Sequence, residues 1–201
     1  MNAYKAIENW YDKNVSVYEK SGAVLLNKPL NKFAKLVPQK GSILDAGCGV
    51  GQDSNFFSEK GFRVIGIDIS KKMLTRAVEK KITGKFMRMN VMAIRFPDSY
   101  FDGVWVSSVL THLKKGKDLA KGIAEIKRVL KPSGIAGIIV MKERGEAKKE
   151  MKDYVFNQFL RDEILYYIKR EGLTLKNITE FKKHGHTWFF MLCGKKLSKK
   201  R

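Results

Sequence analysis

The stretch Asp45-Ala46-Gly47-Cys48-Gly49-Val50-Gly51 constrains the fold of this chain more than any other. Three glycines alternate within it, directly after a strand-like run, Ser42–Ala46, and before a helical pattern over roughly Gln52–Lys60. Missing side chains let the main chain turn tightly there and let a ligand approach the backbone and the helix N-terminus. A dinucleotide-type turn needs G-x-G-x-x-G/A, whose last glycine permits close helix–strand packing. Gln52 stands at that place counted from Gly47, and Ser54 counted from Gly49, so the fingerprint fails in both registers. The pattern is D-x-G-x-G-x-G instead. An acid two residues ahead of the first glycine repels a pyrophosphate and suits a ligand that carries positive charge. A tight turn holding no ligand is the competing reading.

From residue 41 onward, short β-branched runs alternate with helical ones, as in a domain built on a parallel sheet. Arg63–Asp68 reads as a second strand. Ser70 caps a helix with Met73, Leu74, Ala77 and Val78 on one face. Lys85–Met89 and Phe101–Ser107 are strands three and four. Leu119, Ile123, Ile126 and Leu130 share a helical stripe that stops at the breaker Lys131-Pro132-Ser133-Gly134, and Ile135–Met141 is the fifth strand. After a charged stretch, Phe156, Leu160, Ile164 and Ile168 mark a further helix ended by Gly172. Strands at about Leu173–Phe181 and Thr187–Cys193 flank a turn, Lys182–His186, short enough to favour an antiparallel hairpin. The expected fold class is α/β: a doubly wound, seven-stranded, mostly parallel sheet with helices on both faces and a C-terminal antiparallel hairpin. Ahead of this unit, spanning 41–194, Tyr4, Ile7, Tyr11, Val15 and Tyr18 recur at helical spacing, so residues 1–40 read as a helical lid. Residues 195–201 are a basic tail.

At 201 residues with 44% hydrophobic content, the chain fits one globular domain. Met1–Lys5 lacks an apolar signal core, and runs such as Ile135–Met141 are far short of a membrane span. Cys48 and Cys193 stand apart, with no CxxC and no histidine at ligand spacing, so neither a disulfide framework nor a metal site is expected and a cytoplasmic setting is simplest. The formal charge of +20 attracts RNA or another anionic surface, yet the basic residues are spread along the chain and cluster only in the tail. A monomer is the default.

Residues 41–194 resemble the class I S-adenosylmethionine-dependent methyltransferases, whose domain is Rossmann-like. Ile43–Gly51 is similar to that family's first motif. By this resemblance the backbone of Gly47, Cys48, Gly49 and Gly51 meets the methionine part of S-adenosylmethionine, with Asp45 orienting the amino group. Asp68 matches the acid that binds both ribose hydroxyls, a role suited to an acceptor-only carboxylate. Ile69 and Met73 would flank the adenine, and Asn90-Val91 would read its edge, although the family usually carries Asp where this chain has Asn90. Ser107, at the end of the fourth strand, completes the cofactor set.

Methyl transfer from a sulfonium needs alignment and exclusion of water more than a catalytic triad. His112, four residues beyond Ser108, is either a general base or a locally packed residue. Glu143 and Arg144 stand in a loop on the same face as candidate substrate contacts, with a solvated charged loop as the favoured reading. His184 and His186 form an H-x-H pair best read as an exposed basic turn. Trp10, Tyr11 and Tyr18 are lid material or simply cover the sheet edge. No Asp/Asn-Pro-Pro-Tyr motif follows the fourth strand and no Pro-Cys nucleophile is present, which argues against adenine-N6 and pyrimidine-C5 chemistry. The leading expectation is methylation of a small molecule. The alternatives are tRNA or rRNA methylation, and a cofactor-binding subunit without catalysis.

Overall fold

The computed structural model describes residues 3–20, 27–143 and 156–195. Among these, seven strands form one sheet in the order β3-β2-β1-β4-β5-β7-β6. They are β1 (Ser42–Ala46), β2 (Arg63–Asp68), β3 (Lys85–Arg88), β4 (Phe101–Ser107), β5 (Leu130–Met141), β6 (Leu173–Lys183) and β7 (His186–Lys195). The first five are parallel, and β7 runs antiparallel between β5 and β6. The winding direction reverses between β1 and β4, and that reversal opens a crevice at their carboxyl ends.

Side-chain alternation divides the core between the two faces of the sheet. Leu44, Val104, Val106, Ile138 and Phe189 pack on one face under α6 (Lys117–Val129) and α7 (Arg161–Arg170). Their neighbours Ile43, Trp105, Ile139 and Phe190 pack on the other, under α3 (Asn27–Ala34) and α4 (Gln52–Glu59). Phe33 of α3 is fully buried, its ring 5.2 Å from that of Trp105. The early helices therefore divide the work. α3 builds core, while α1 (Ala3–Lys13) and α2 (Val15–Lys20) lie against α5 (Lys71–Glu79).

Several expected elements have other bounds. β5 begins at Leu130, not Ile135: Phe101 pairs with Leu130 and Gly103 with Ile135, so residues 131–134 bulge opposite Asp102. Asp102 pins that bulge by accepting from Lys131 Nζ at 2.7 Å. Leu130 is accordingly a strand residue and not part of the α6 stripe. Val78 is exposed, and Met73, Leu74 and Ala77 alone form the buried face of α5. α7 starts only at Arg161, because Phe159 is held extended: its N–H donates to Met141 O at 3.0 Å and its carbonyl accepts from Glu143 N at 2.9 Å. The hairpin turn shrinks to His184-Gly185, both at positive φ, the form that matches strand twist in a two-residue turn. The N-terminal spacing is served by two helices broken at Asn14, whose N–H and Nδ2 both donate to Trp10 O. Arg144 and the tail beyond Lys195 lie outside the described residues.

Candidate functional site

The carboxyl ends of β1, β2 and β4 border a cavity of about 260 Å³. The glycine turn forms its floor. The N–H groups of Gly47 and Cys48 both donate to Ile67 O, at 2.7 and 3.0 Å, which stitches the turn to β2. A Cβ on Gly47 would lie 1.9 Å from Val109 Cγ2, so only glycine fits. A Cβ on Gly49 would instead project toward Tyr18, 3.5 Å from its ring, into the space that a ligand needs. Gly51 is off the lining and opens α4 against Ile82, Ala77 and Phe86.

Asp68 ends β2 on the cavity wall. Its Oδ2 accepts from Gly49 N at 3.0 Å and its Oδ1 from Ser70 N at 2.8 Å, leaving each oxygen a lone pair for a further donor. Burial pushes its pKa up, against the pull of those amides. Ile69, Asn90 and Val91 line the same region. Asn90 Oδ1 accepts from Met92 N at 2.8 Å, which folds the loop after β3 and leaves one lone pair on that oxygen. Met73 is fully buried in the α5 core and stands off the lining, its N–H held by Ser70 Oγ at 3.1 Å. The cap and the apolar face of α5 turn it inward, away from the place that the sequence reading assigned it.

Ser107 and Ser108 close β4. Ser108 sits at φ 64, a left-handed conformation costly for a non-glycine residue. The next turn carries His112, 8% exposed, whose Nε2 is 2.9 Å from the hydroxyl of Tyr11. The His112 ring also meets Phe156 edge-on at 5.4 Å. Asn157 anchors this turn: its N–H donates to Thr111 O and its Nδ2 to Leu113 O, both at 2.6 Å.

α1 and α2 cover the cavity, supplying Tyr4, Ile7, Tyr11 and Tyr18 to its lining. Polar latches tie them down. Asp12 Oδ1 accepts from Ser70 Oγ at 2.5 Å, Glu8 pairs with Arg88, and Glu19 pairs with Arg76 at 2.9 Å and with Lys80. Trp10 stands off the lining, packed on Tyr11. From the far end of the chain come Lys183, His184 and Trp188.

A smaller cavity of about 60 Å³ adjoins the first and shares Tyr18, Gly47, Ser107, Ser108 and Lys183 with it. Asp45, Cys48, Gln52 and Asp53 line it. Asp45 is buried and accepts from Ser54 Oγ at 2.6 Å; Asp53 accepts from Trp105 Nε1 at 2.7 Å. Burial, and for Asp45 the nearby Asp53, push both carboxyls above the usual range. Burial likewise pushes the Cys48 thiol up, which makes it inert as a nucleophile. Gln52 Oε1 is buried with no hydrogen-bond partner among the described residues. Among those residues no cluster of three or more potential metal ligands occurs.

The sequence reading missed Phe156 as a cavity residue, together with Lys183 and Trp188. Phe156 misleads because its spacing with Ile164 is helical. A tryptophan two residues past a basic turn was the available signal for the other two.

Residues 44–138 match the family model of a methyltransferase domain. The chain is 35% identical over 133 residues to the methyltransferase-family protein YqeM of Bacillus subtilis, covering 62% of this chain and 53% of that one. It is 36% identical over 114 residues to the 2-methyl-6-phytyl-1,4-hydroquinone methyltransferase of Synechocystis, covering 55% and 35%. The matched stretch thus spans about half the length of the first relative and about a third of the second. The fold is that of the Burkholderia thailandensis 1,6-didemethyltoxoflavin-N1-methyltransferase solved with its substrate and S-adenosylhomocysteine (TM-score 0.75, 19% identity, 98% of this chain and 91% of that one).

S-adenosylmethionine is the cofactor that this family implies, and the residues fit it. The lone pairs left on Asp68 suit a diol, the bare backbone at Gly49 admits a ligand, and the orphaned Oε1 of Gln52 requires a donor such as an ammonium. Domain model and sheet order agree on the same strands: residues 44–138 carry a methyltransferase domain, on a fold shared with S-adenosylmethionine-dependent methyltransferases.

Proposed function

We propose that this protein methylates a small molecule, with S-adenosylmethionine held by Asp68, Ile69, Asn90, Val91 and the turn at Asp45–Gly51. The observation that carries the size of the acceptor is the roof. α1 and α2 are latched across the cavity, whose outer wall is aromatic at Tyr4, Tyr11, Phe156 and Trp188. Such a space suits a compact, partly flat acceptor better than a folded polynucleotide. The names of the Synechocystis protein, a hydroquinone methyltransferase, and of the Burkholderia one, a didemethyltoxoflavin methyltransferase, support the same reading.

When bound, the cofactor supplies an electrophilic methyl group on a good leaving group. The chain's own residues do the rest. Ser107 and Ser108 border the space between the glycine turn and His112, where the acceptor must lie in line with the methyl. The latched helices shield that space on the side of Tyr4, Tyr11 and Tyr18. Where the acceptor carries a proton, the Tyr11 hydroxyl and His112 Nε2 form a path for it, tyrosine taking the proton as it passes its own to the imidazole.

Radiolabelled S-adenosylmethionine, incubated with fractions of a cell extract, tests the proposal. Label is expected in the low-molecular-weight fraction. Label confined to RNA or protein overturns it.

A further inference from the structure

The smaller cavity gathers acidic, basic and amide side chains in a space fit for only a few heavy atoms. On one side stand acceptors: the carboxylates of Asp45 and Asp53, and the orphaned Oε1 of Gln52. On the other stands Lys183, contributed by the last residue of β6 beside the hairpin turn. Lys183 forms no salt bridge within the described residues, although it lies near enough to Asp53 for that charge to favour its protonated form. Burial pulls the other way and pushes its pKa down. Asp45 and Asp53 each hold one donor, from Ser54 and Trp105, while the half-buried ammonium of Lys183 and the Gln52 oxygen are left with polar demands unmet.

An α-amino acid head group meets all of them at once. Its ammonium offers three donors to acceptors, and its carboxylate can pair with the cation that Lys183 brings to the lining. The small cavity opens into the larger one past Gly47 and Ser107, so a ligand whose adenosine lies by Asp68 can extend its other end there. We propose that Lys183 and Gln52 are specificity residues for the amino-acid end of the cofactor, Lys183 taking its carboxylate and Gln52 Oε1 its ammonium. The proposal rests on the cofactor reading given above.

Calorimetric titration of the full chain with S-adenosylhomocysteine and with 5′-methylthioadenosine tests it. The second ligand keeps the adenosine and sulfur and lacks the amino-acid end. Lys183→Met and Gln52→Leu are each expected to weaken S-adenosylhomocysteine by about tenfold or more while leaving 5′-methylthioadenosine within about twofold. Lys183→Arg, which keeps the charge, is expected to retain most of the affinity. Equal losses for both ligands, or no loss for either, overturn the assignment. A wild-type protein that binds neither ligand overturns the cofactor reading itself, and a wild type that binds both equally well overturns only the head-group subsite.

Discussion

The hydroxyl of Tyr11 lies 2.9 Å from Nε2 of His112, joining the first helix to the turn that follows β4. If this pair moves a proton, His112→Ala lowers kcat by about 10²–10⁴-fold. Tyr11→Phe does the same while keeping the ring that packs on His112. Affinity for S-adenosylhomocysteine, read by calorimetry, is expected to stay nearly constant in both. An unchanged kcat with the acceptor in hand assigns the pair to packing.

Asp68 is tied to both the glycine turn and the start of α5, so its removal has two effects. Asp68→Ala takes away a charged acceptor for ligand hydroxyls, and a loss of about 10–100-fold in S-adenosylhomocysteine affinity is expected. It also strands the amides of Gly49 and Ser70, so the melting temperature falls as well. Asp68→Asn, with one acceptor oxygen left, is expected to fall between. Full affinity in the alanine variant rules out the ribose role.

Acidity offers a separate handle. Burial raises the carboxyls of Asp45, Asp53 and Asp68 in the folded chain, so the native state holds protons that the unfolded chain has released. By linkage, the stability of the ligand-free protein declines as pH rises from the ordinary carboxylate range, about 4, through the raised folded values. A cationic ligand favours the ionised acids, so affinity for S-adenosylmethionine should rise across the same window. Melting curves and titrations at matched pH steps check both slopes, which have opposite signs.

Two glycines with similar backbone angles provide a contrast. Gly47 has φ 81 and Gly61 φ 83, yet a Cβ at Gly61 meets nothing within 4 Å. Gly61→Ala is expected to cost only the strain of a left-handed alanine, about 1–2 kcal/mol. Gly47→Ala adds the clash with Val109, about 1–3 kcal/mol more, and shifts the turn that faces the ligand. Denaturant unfolding of the two variants separates the terms; equal losses would mean that Val109 moves aside freely.

Glu19 ties down the roof by hydrogen-bonded ion pairs with Arg76 of α5 and Lys80, the residue after it. Its carboxyl is held below the usual range, chiefly by the Lys80 hydrogen bond. Glu19→Gln is expected to speed dissociation of S-adenosylhomocysteine, and added salt to speed it in the unmutated protein, since exposed pairs are screened. A stopped-flow release rate insensitive to both would show that α2 is held by its apolar contacts.

What could be read from the sequence was local. β1, β2 and β4 have the bounds expected from their apolar runs, and the turn at Gly47 is legible because glycine spacing is set by the turn itself. Where a neighbour far along the chain decides, reading ahead fails. Leu130 has helical spacing with Ile126, but pairing with Phe101 draws it into β5. Phe159 is held extended by Met141 and Glu143, which delays α7. Met73 shares one helical turn with residues near the cavity, and only the packing of α5 shows that it points into the core. Lys183 was invisible as a site residue because its partners stand more than a hundred positions earlier.

Tyr4 and Trp188 border one cavity although nearly the whole chain separates them. During synthesis, the sheet from β1 to β5 and its glycine turn emerge well before the hairpin that carries Trp188. A chain made only as far as β5 lacks Lys183 and Trp188, so the cavity closes only when the hairpin docks. Such late closure of a long loop is slow compared with local helix formation. Free cofactor in the medium is thus expected to stabilise the completed protein without hastening its folding up to β5.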